Sequence, residues 1–96
     1  MIRHICMFKI DKENHDENLK EAFKLAENLK EIKHAVRGEV VGNSNEAPDS
    51  NYDLCLIFDF ESMDDLNLYQ IDPIHKIFVE FITKVKKDRA CIDAEF

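Results

Sequence analysis

The stretch YQIDPIH, residues 69–75, decides how the second half of the chain folds. Asp72 is a residue type that caps helices, and Pro73 suits a first helical position, where its missing N–H leaves no hydrogen bond unmade. A helix is therefore expected to begin here, with His75 in its first turn, where the helix dipole disfavours a protonated imidazole. A neutral imidazole close behind the phenol of Tyr69 is a combination that can serve as an acid–base pair near neutral pH.

The hydrophobic pattern on both sides of this stretch predicts alternating strands and helices. Residues 2–10 and 52–60 alternate their side chains with the period of two that is typical of strands. Residues 16–36 carry apolar side chains at helical spacing, and Gly38 is interpreted as the terminator of that helix. The remaining predicted elements are a strand at 39–42, a loop at 43–51, helices at 62–69 and from 73 to a basic turn at 84–89, and a strand at 90–96.

This order predicts an α+β fold of the ferredoxin-like βαββαβ type, with a four-stranded antiparallel sheet and its helices on one face. A single domain spans residues 1–96. The other sheet face still carries Ile5, Met7, Cys55 and Ile57, and so large an apolar surface usually has a partner. We therefore expect a homodimer in which two sheets pack face to face, which is a dimeric α/β barrel.

The composition argues against several classes of function. A net charge of −7 over 96 residues is unsuited to nucleic acid, whose binding requires clustered Lys and Arg. No apolar run approaches the roughly 18 residues of a membrane span, and no secretory signal pattern opens the sequence. We expect neither a nucleic-acid partner nor a membrane partner.

The cysteines point to the reducing cytoplasm. Cys6, Cys55 and Cys91 lie in three separate apolar strand patterns, and no two of them have the close spacing of a metal or redox motif. The odd count also argues against a disulfide framework. We therefore expect three buried free thiols, no metal site and a cytoplasmic protein.

Several segments along the chain match those of one known family. They are residues 2–9, Tyr52-Asp53-Leu54, Phe60-Glu61-Ser62, Tyr69, Pro73-Ile74-His75 and Ile92-Asp93. Through them the sequence resembles, over nearly its whole length, the stress-responsive α/β-barrel (Dabb) family of dimeric ferredoxin-like proteins. The resemblance implies an uncharacterised homodimer with a small pocket between sheet and helices, open to an apolar or aromatic ligand and needing no cofactor.

The candidate pocket gathers one end of the sheet and the heads of the helices. His4 shares its strand face with Cys6 and Phe8, so it should point toward the helices, where His75 and Tyr69 could join it. The residues expected to contact a ligand are His4, Phe23, Leu54, Leu56 and Phe58.

The function itself stays open at this stage. The resembled family includes a plant polyketide cyclase, and by position His75 would be its base and Tyr69 its partner, which implies cofactor-independent cyclase or isomerase chemistry. The cyclase has a pocket tyrosine on its first helix where this chain offers Phe23, and a histidine at the position of Asp72. A quinol-type monooxygenase or haem-related enzyme is a further alternative, the haem branch being weakened because the chain has no Trp. Equally, His75, Tyr69 and His4 could be purely structural residues.

Overall fold

A computed structural model describes all residues, 1–96, as a four-stranded antiparallel sheet with helices on one face. The strands, in the spatial order β2-β3-β1-β4, are β1 (Ile2–Ile10), β2 (Arg37–Gly42), β3 (Leu54–Phe60) and β4 (Lys86–Glu95). The helices are α1 (His15–Asn28), which continues into a 3-10 turn at Leu29–Glu31, α2 (Met63–Ile71) and α3 (Pro73–Val85). The predicted ferredoxin-like fold is confirmed. None of these helices has both the length and the apolarity to cross a membrane.

The junction between α2 and α3 forms through local caps. The Ser62 hydroxyl accepts a hydrogen bond from the backbone N–H of Asp65 at 3.2 Å and caps α2. The Asp72 carboxylate accepts one from the N–H of Ile74 at 2.9 Å and caps α3, and Pro73 occupies the first helical position. The two helices therefore meet at a sharp corner, with Tyr69 just before it and His75 just after it.

The core lies between the inner face of the sheet and the three helices. Alternate residues of β1 and β3 face the helices and are buried, which follows from the period-two geometry of a strand. The helices α1 and α3 each contribute one apolar stripe to this layer, and α2 contributes Leu66 and Tyr69. The fully buried members include Cys6, Leu54, Leu56, Phe58 and Phe60 from the sheet, and Ala22, Ala26, Leu66, Tyr69, Phe78 and Ile82 from the helices.

The interpretation of Gly38 as a helix terminator is wrong. The first helix stops near Asn28, Val36 is exposed, and Gly38 lies within β2, opposite Phe58 of β3. A Cβ atom at Gly38 would come within 2.4 Å of the Phe58 ring, so the missing side chain gives that ring its place in the core. The glycine is needed for close packing between strands.

The last strand begins earlier than the sequence pattern indicates. The basic residues Lys86, Lys87 and Arg89 belong to β4 and not to the final turn of α3. They extend the pairing with β1, which shifts register between Lys9 and Ile10. Because β4 is an edge strand that no helix covers fully, charged side chains can alternate along it at little cost.

The expectation of three free thiols is also wrong. Cys6 and Cys91 form a disulfide across β1 and β4, where the strand register sets them directly opposite each other with Cα atoms 4.2 Å apart. A sequence separation of 85 residues carries no information about this register, so the pair is visible only in the sheet. Cys55 remains a free thiol, and partial burial raises its pKa.

The outer face of the sheet is apolar at its centre and charged along one side. Ile57 of β3, Ile5 of β1 and Ile92 of β4 lie in one row across the strands. Beside this row, the Asp59 carboxylate accepts hydrogen bonds from Arg3 at 2.8 and 3.0 Å and from Arg37 at 3.3 Å. The Arg3 guanidinium holds the pKa of Asp59 below its usual range, with Arg37 contributing less.

Candidate functional site

A cavity of about 240 Å³ lies where the inner face of β1 and β4 meets α3. Its walls are partly apolar, with Phe8, Leu56 and Phe78 among them, and its polar groups include His4, His75 and Arg89. A concave apolar site with a few convergent polar groups is the usual form of a small-molecule pocket. The volume suits a small ligand.

A larger and more open depression of about 580 Å³ lies at the other end of β1, around Lys9, Asp53 and His15. Its lining is almost entirely polar. The Asp53 carboxylate there is already used by the backbone N–H of Ile10 at 2.7 Å and by the His15 ring at 3.2 Å. Because its polar groups satisfy one another, we regard the smaller, more apolar cavity as the candidate site.

Tyr69 and His75 pack against each other at the cavity. Their ring centroids are 4.7 Å apart, with the rings edge to face. Tyr69 is fully buried, and its ring also lies 6.3 Å from that of His4 and 5.0 Å from that of Phe60. The structure thus brings together the three polar residues named from sequence, although only the two histidines line the cavity and Tyr69 lies behind them.

Two polar atoms of this pair are buried without a hydrogen-bond partner: the Tyr69 hydroxyl and Nδ1 of His75. An unmade hydrogen bond at a buried polar atom costs about 1–3 kcal/mol, and native proteins keep few of them. These two atoms on adjacent rings could each form a hydrogen bond that the protein itself does not provide.

Burial keeps both groups uncharged. It lowers the pKa of His75 to about 4, with smaller lowering contributions from the nearby His4 and Arg89 side chains and opposing ones from the Gln70 backbone and Asp72. Burial raises the pKa of the Tyr69 phenol. At neutral pH the cavity therefore presents a neutral imidazole, with a neutral phenol behind it.

His4 is held by a residue that sequence reasoning missed. Its Nδ1 lies 2.5 Å from Oδ1 of Asp93, the residue opposite it on β4. An ionised carboxylate can only accept a hydrogen bond, so Nδ1 of His4 is the donor in this contact. Arg89 is a second missed residue, since both depend on where β4 begins and how it pairs. The alternation of polar residues at 89, 91 and 93 was the available signal.

Of the other residues predicted to contact a ligand, only one lines the cavity. Leu56 lines the cavity, whereas Leu54 and Phe58 are buried in the core outside its wall. Phe23 lies over Gly42 of β2, at the far side of the sheet from β4. The structure therefore gathers His4, Leu56 and His75 around this cavity. Contacts of Phe23, Leu54 and Phe58 with a ligand stay predictions.

Comparisons with known proteins agree on the fold. A family model described as the stress responsive A/B barrel domain matches residues 2–96. A dimeric ferredoxin-like protein of unknown function from Bacteroides fragilis is similar at 25% identity and a TM-score of 0.82, over 99% of this chain and 95% of that one. A comparison with curated proteins found no match.

Two further solved structures are similar. A dimeric ferredoxin-like protein of unknown function from Thermobifida fusca has 21% identity and a TM-score of 0.87, over 99% of this chain and 90% of that one. A Dabb family protein from Mesorhizobium loti has 20% identity and a TM-score of 0.80, over 99% of this chain and 95% of that one. At these identities the likeness establishes the fold alone.

Proposed function

The chain belongs to the stress-responsive A/B barrel domain (Dabb) family, as its sequence resemblance implied, and we propose that it is a homodimeric binding module for a small aromatic ligand with an acidic or phenolic oxygen. The observation that carries this proposal is the pair of buried, unpartnered polar atoms on Tyr69 and His75. A ligand oxygen that reached His75 would supply the hydrogen bond that its buried Nδ1 lacks.

The charges around the cavity favour an acidic ligand. Lys86 and Arg89 lie on its wall, on the edge strand, while Phe8, Leu56 and Phe78 form the apolar part. An aromatic ring fits against the apolar side chains, and a carboxylate or phenolate would meet the two cations in charge-assisted hydrogen bonds.

The outer face of the sheet supports a homodimer. The row of Ile57, Ile5 and Ile92 is apolar, and Ile92 is 60% exposed in the single chain. A contiguous apolar surface of this kind marks an interface. The Bacteroides fragilis and Thermobifida fusca relatives are described as dimeric. We infer that two copies pack sheet to sheet, with the Arg3–Asp59–Arg37 cluster beside the apolar row.

A cofactor-independent acid–base enzyme is the second candidate, because His75 and Tyr69 are in ring contact at the cavity. A base works best when its pKa lies near the working pH, and a His75 pKa of about 4 makes the neutral ring a weak proton acceptor. Cyclase or isomerase chemistry therefore requires that an anionic substrate raise the pKa of His75. The binding function needs no such shift.

A cytoplasmic location remains our prediction. The pairing of Cys6 with Cys91 bears on it, because a reducing compartment would keep both as thiols. A cytoplasmic location therefore requires that Cys6 and Cys91 be reduced there.

A thermal-shift screen tests the binding proposal. We expect small aromatic acids and phenols to raise the melting temperature of the wild-type protein, and apolar molecules of equal size without the oxygen to raise it less. The effect should be lost in His75→Phe and weakened in Arg89→Ala. His15→Ala, in the polar depression, is the matched control and should respond like the wild type. Equal responses of His75→Phe and the wild type would overturn the proposal.

A further inference from the structure

The floor of the cavity carries a cluster of metal-ligating atoms that the proposed function does not use. A ring nitrogen of His4 and the sulfur atoms of Cys6 and Cys91 all lie within 4.8 Å of one another. His4 and Cys6 are buried in the cavity wall, and Cys91 is exposed beside them on the edge strand.

The strand register fixes this arrangement. Cys6 stands opposite Cys91, and His4 stands opposite Asp93, on the same inner face of β1 and β4. The Asp93 carboxylate accepts a hydrogen bond from Nδ1 of His4, at 2.5 Å. Metal-binding histidines usually donate their other ring N–H to a carboxylate in this way, which fixes the ring and leaves Nε2 free to bind.

We propose that the reduced protein binds one Zn²⁺ ion through the thiolates of Cys6 and Cys91 and the imidazole of His4, with Asp93 as the positioning residue. Two thiolates and one imidazole are a ligand set that suits Zn²⁺. Three protein ligands leave one tetrahedral position for water or a ligand atom, and it would face the cavity that His4 and Cys6 line. This site does not depend on the ligand proposed above.

The disulfide is the oxidised, metal-free form of the same site. Reduction by a dithiol transfers two electrons and two protons to the Cys6–Cys91 bond, and the reductant becomes a disulfide. Cys91 is the exposed sulfur, so the reductant thiolate attacks there and Cys6 leaves as the thiolate. Binding of Zn²⁺ then displaces the protons of the two thiols. Metal occupancy is therefore controlled by thiol redox state.

The surrounding charges are compatible with a divalent cation. Two thiolates and the Asp93 carboxylate carry three negative charges, against the two positive charges of Zn²⁺. The nearby cation on the cavity wall, Arg89, faces an assembly that remains net negative once the ion is bound. The metal would thus be held without an unpaired buried positive charge.

Titration with Co²⁺ as a spectroscopic probe, followed by displacement with Zn²⁺, tests the proposal on the full chain. Protein reduced by a dithiol and desalted without oxygen should bind one Co²⁺ per chain and show a thiolate-to-cobalt charge-transfer absorption. Oxidised protein should show none. Cys91→Ser should abolish the absorption, and Asp93→Asn, which keeps all three ligands, should weaken binding about tenfold.

Cys55→Ser is the matched control, because it removes the free thiol on the outer sheet face and should bind Co²⁺ like the wild type. The proposal is overturned if reduced wild-type protein shows no absorption, or if the absorption survives Cys91→Ser. It is equally overturned if Cys55→Ser alone removes it. If Cys91→Ser does not fold, the single variants Asp93→Asn and His4→Gln decide the question. An affinity for Co²⁺ that is unchanged in both of them rejects the site.

Discussion

Tyr69 and His75 pack edge to face with ring centroids 4.7 Å apart across the corner between α2 and α3, and neither the Tyr69 hydroxyl nor Nδ1 of His75 has a hydrogen-bond partner. Ser62 and Asp72 cap the two helices and so hold the corner in place. A fold that keeps two polar atoms dry and unpartnered gives up stability at this point.

Removing the buried hydroxyl should stabilise the protein. We expect Tyr69→Phe to raise the free energy of unfolding by about 1 kcal/mol, because the ring contacts remain and the unsatisfied group is gone. Urea denaturation measures this change. Tyr52→Phe is the control, since the Tyr52 hydroxyl is exposed and donates to Asp88 at 2.8 Å, so its loss should not stabilise. A destabilised Tyr69→Phe would show that the hydroxyl has a partner in solution.

Stability should fall as the pH drops through the range set by His75. Its pKa is about 4 in the folded state, below the roughly 6.5 of an unfolded chain, so the unfolded state binds the proton more tightly. This contribution is fully present above pH about 6.5 and is lost progressively down to pH about 4.

We expect His75 to account for about 2 kcal/mol of this loss, less than the full shift implies because the ring is partly exposed to solvent. Urea denaturation at several pH values compares the wild type with His75→Gln, which should have a flatter profile between pH about 4 and 6.5. Identical slopes in the two proteins would contradict the assignment. His34→Gln, at a distance from the cavity, is the control.

The close approach at Gly38 should be sensitive to a single methyl group. We expect Gly38→Ala to cost about 2–3 kcal/mol, because its Cβ would stand 2.4 Å from the buried ring of Phe58. Gly42→Ala is the matched control, also in β2, where the nearest atom is 3.0 Å away on the half-buried Phe23 ring. Thermal unfolding of both variants gives the comparison. Equal losses would mean that strand packing is not the reason for Gly38.

The outer sheet face should hold the two copies together. Ile92→Lys places a charge in the proposed interface and should shift the protein toward monomer in sedimentation experiments. Ile77→Lys is the matched control, because Ile77 is 56% exposed on α3 and Ile92 is 60% exposed on β4. Only the sheet variant should dissociate. Dimers that persist in Ile92→Lys and dissociate in Ile77→Lys would place the interface on the helices.

The parts of this structure that the sequence predicts are those governed by local or periodic patterns. The caps at Ser62 and Asp72, the alternation in β1 and β3 and the order of the elements depend on neighbouring residues alone. The disulfide, the Asp93 contact with His4 and the place of Gly38 depend on register between strands far apart in sequence. Register is set by the assembled sheet, so these features could not be read from spacing.

In the candidate site too, local sequence predicts some residues, whereas the position of others depends on strand order. His75 and Tyr69 were identified because a helix start fixes one and the preceding helix fixes the other. Phe23, a predicted lining residue, lies over β2, whereas the cavity opens beside β4, and this separation follows from the strand order and not from local sequence. Arg89 is absent from the predicted site because the basic residues at 84–89 are typical of a helix end, whereas the structure places Arg89 in β4.

The most direct test of the central claim is a ¹⁵N NMR titration of histidine-labelled protein with a small aromatic acid. If the ligand occupies the cavity, the ring nitrogens of His75 and His4 should shift together and saturate at one ligand per chain, while His15 stays unchanged. Shifts confined to His15, in the polar depression, or no histidine shift at saturating ligand, would contradict a binding site at Tyr69 and His75.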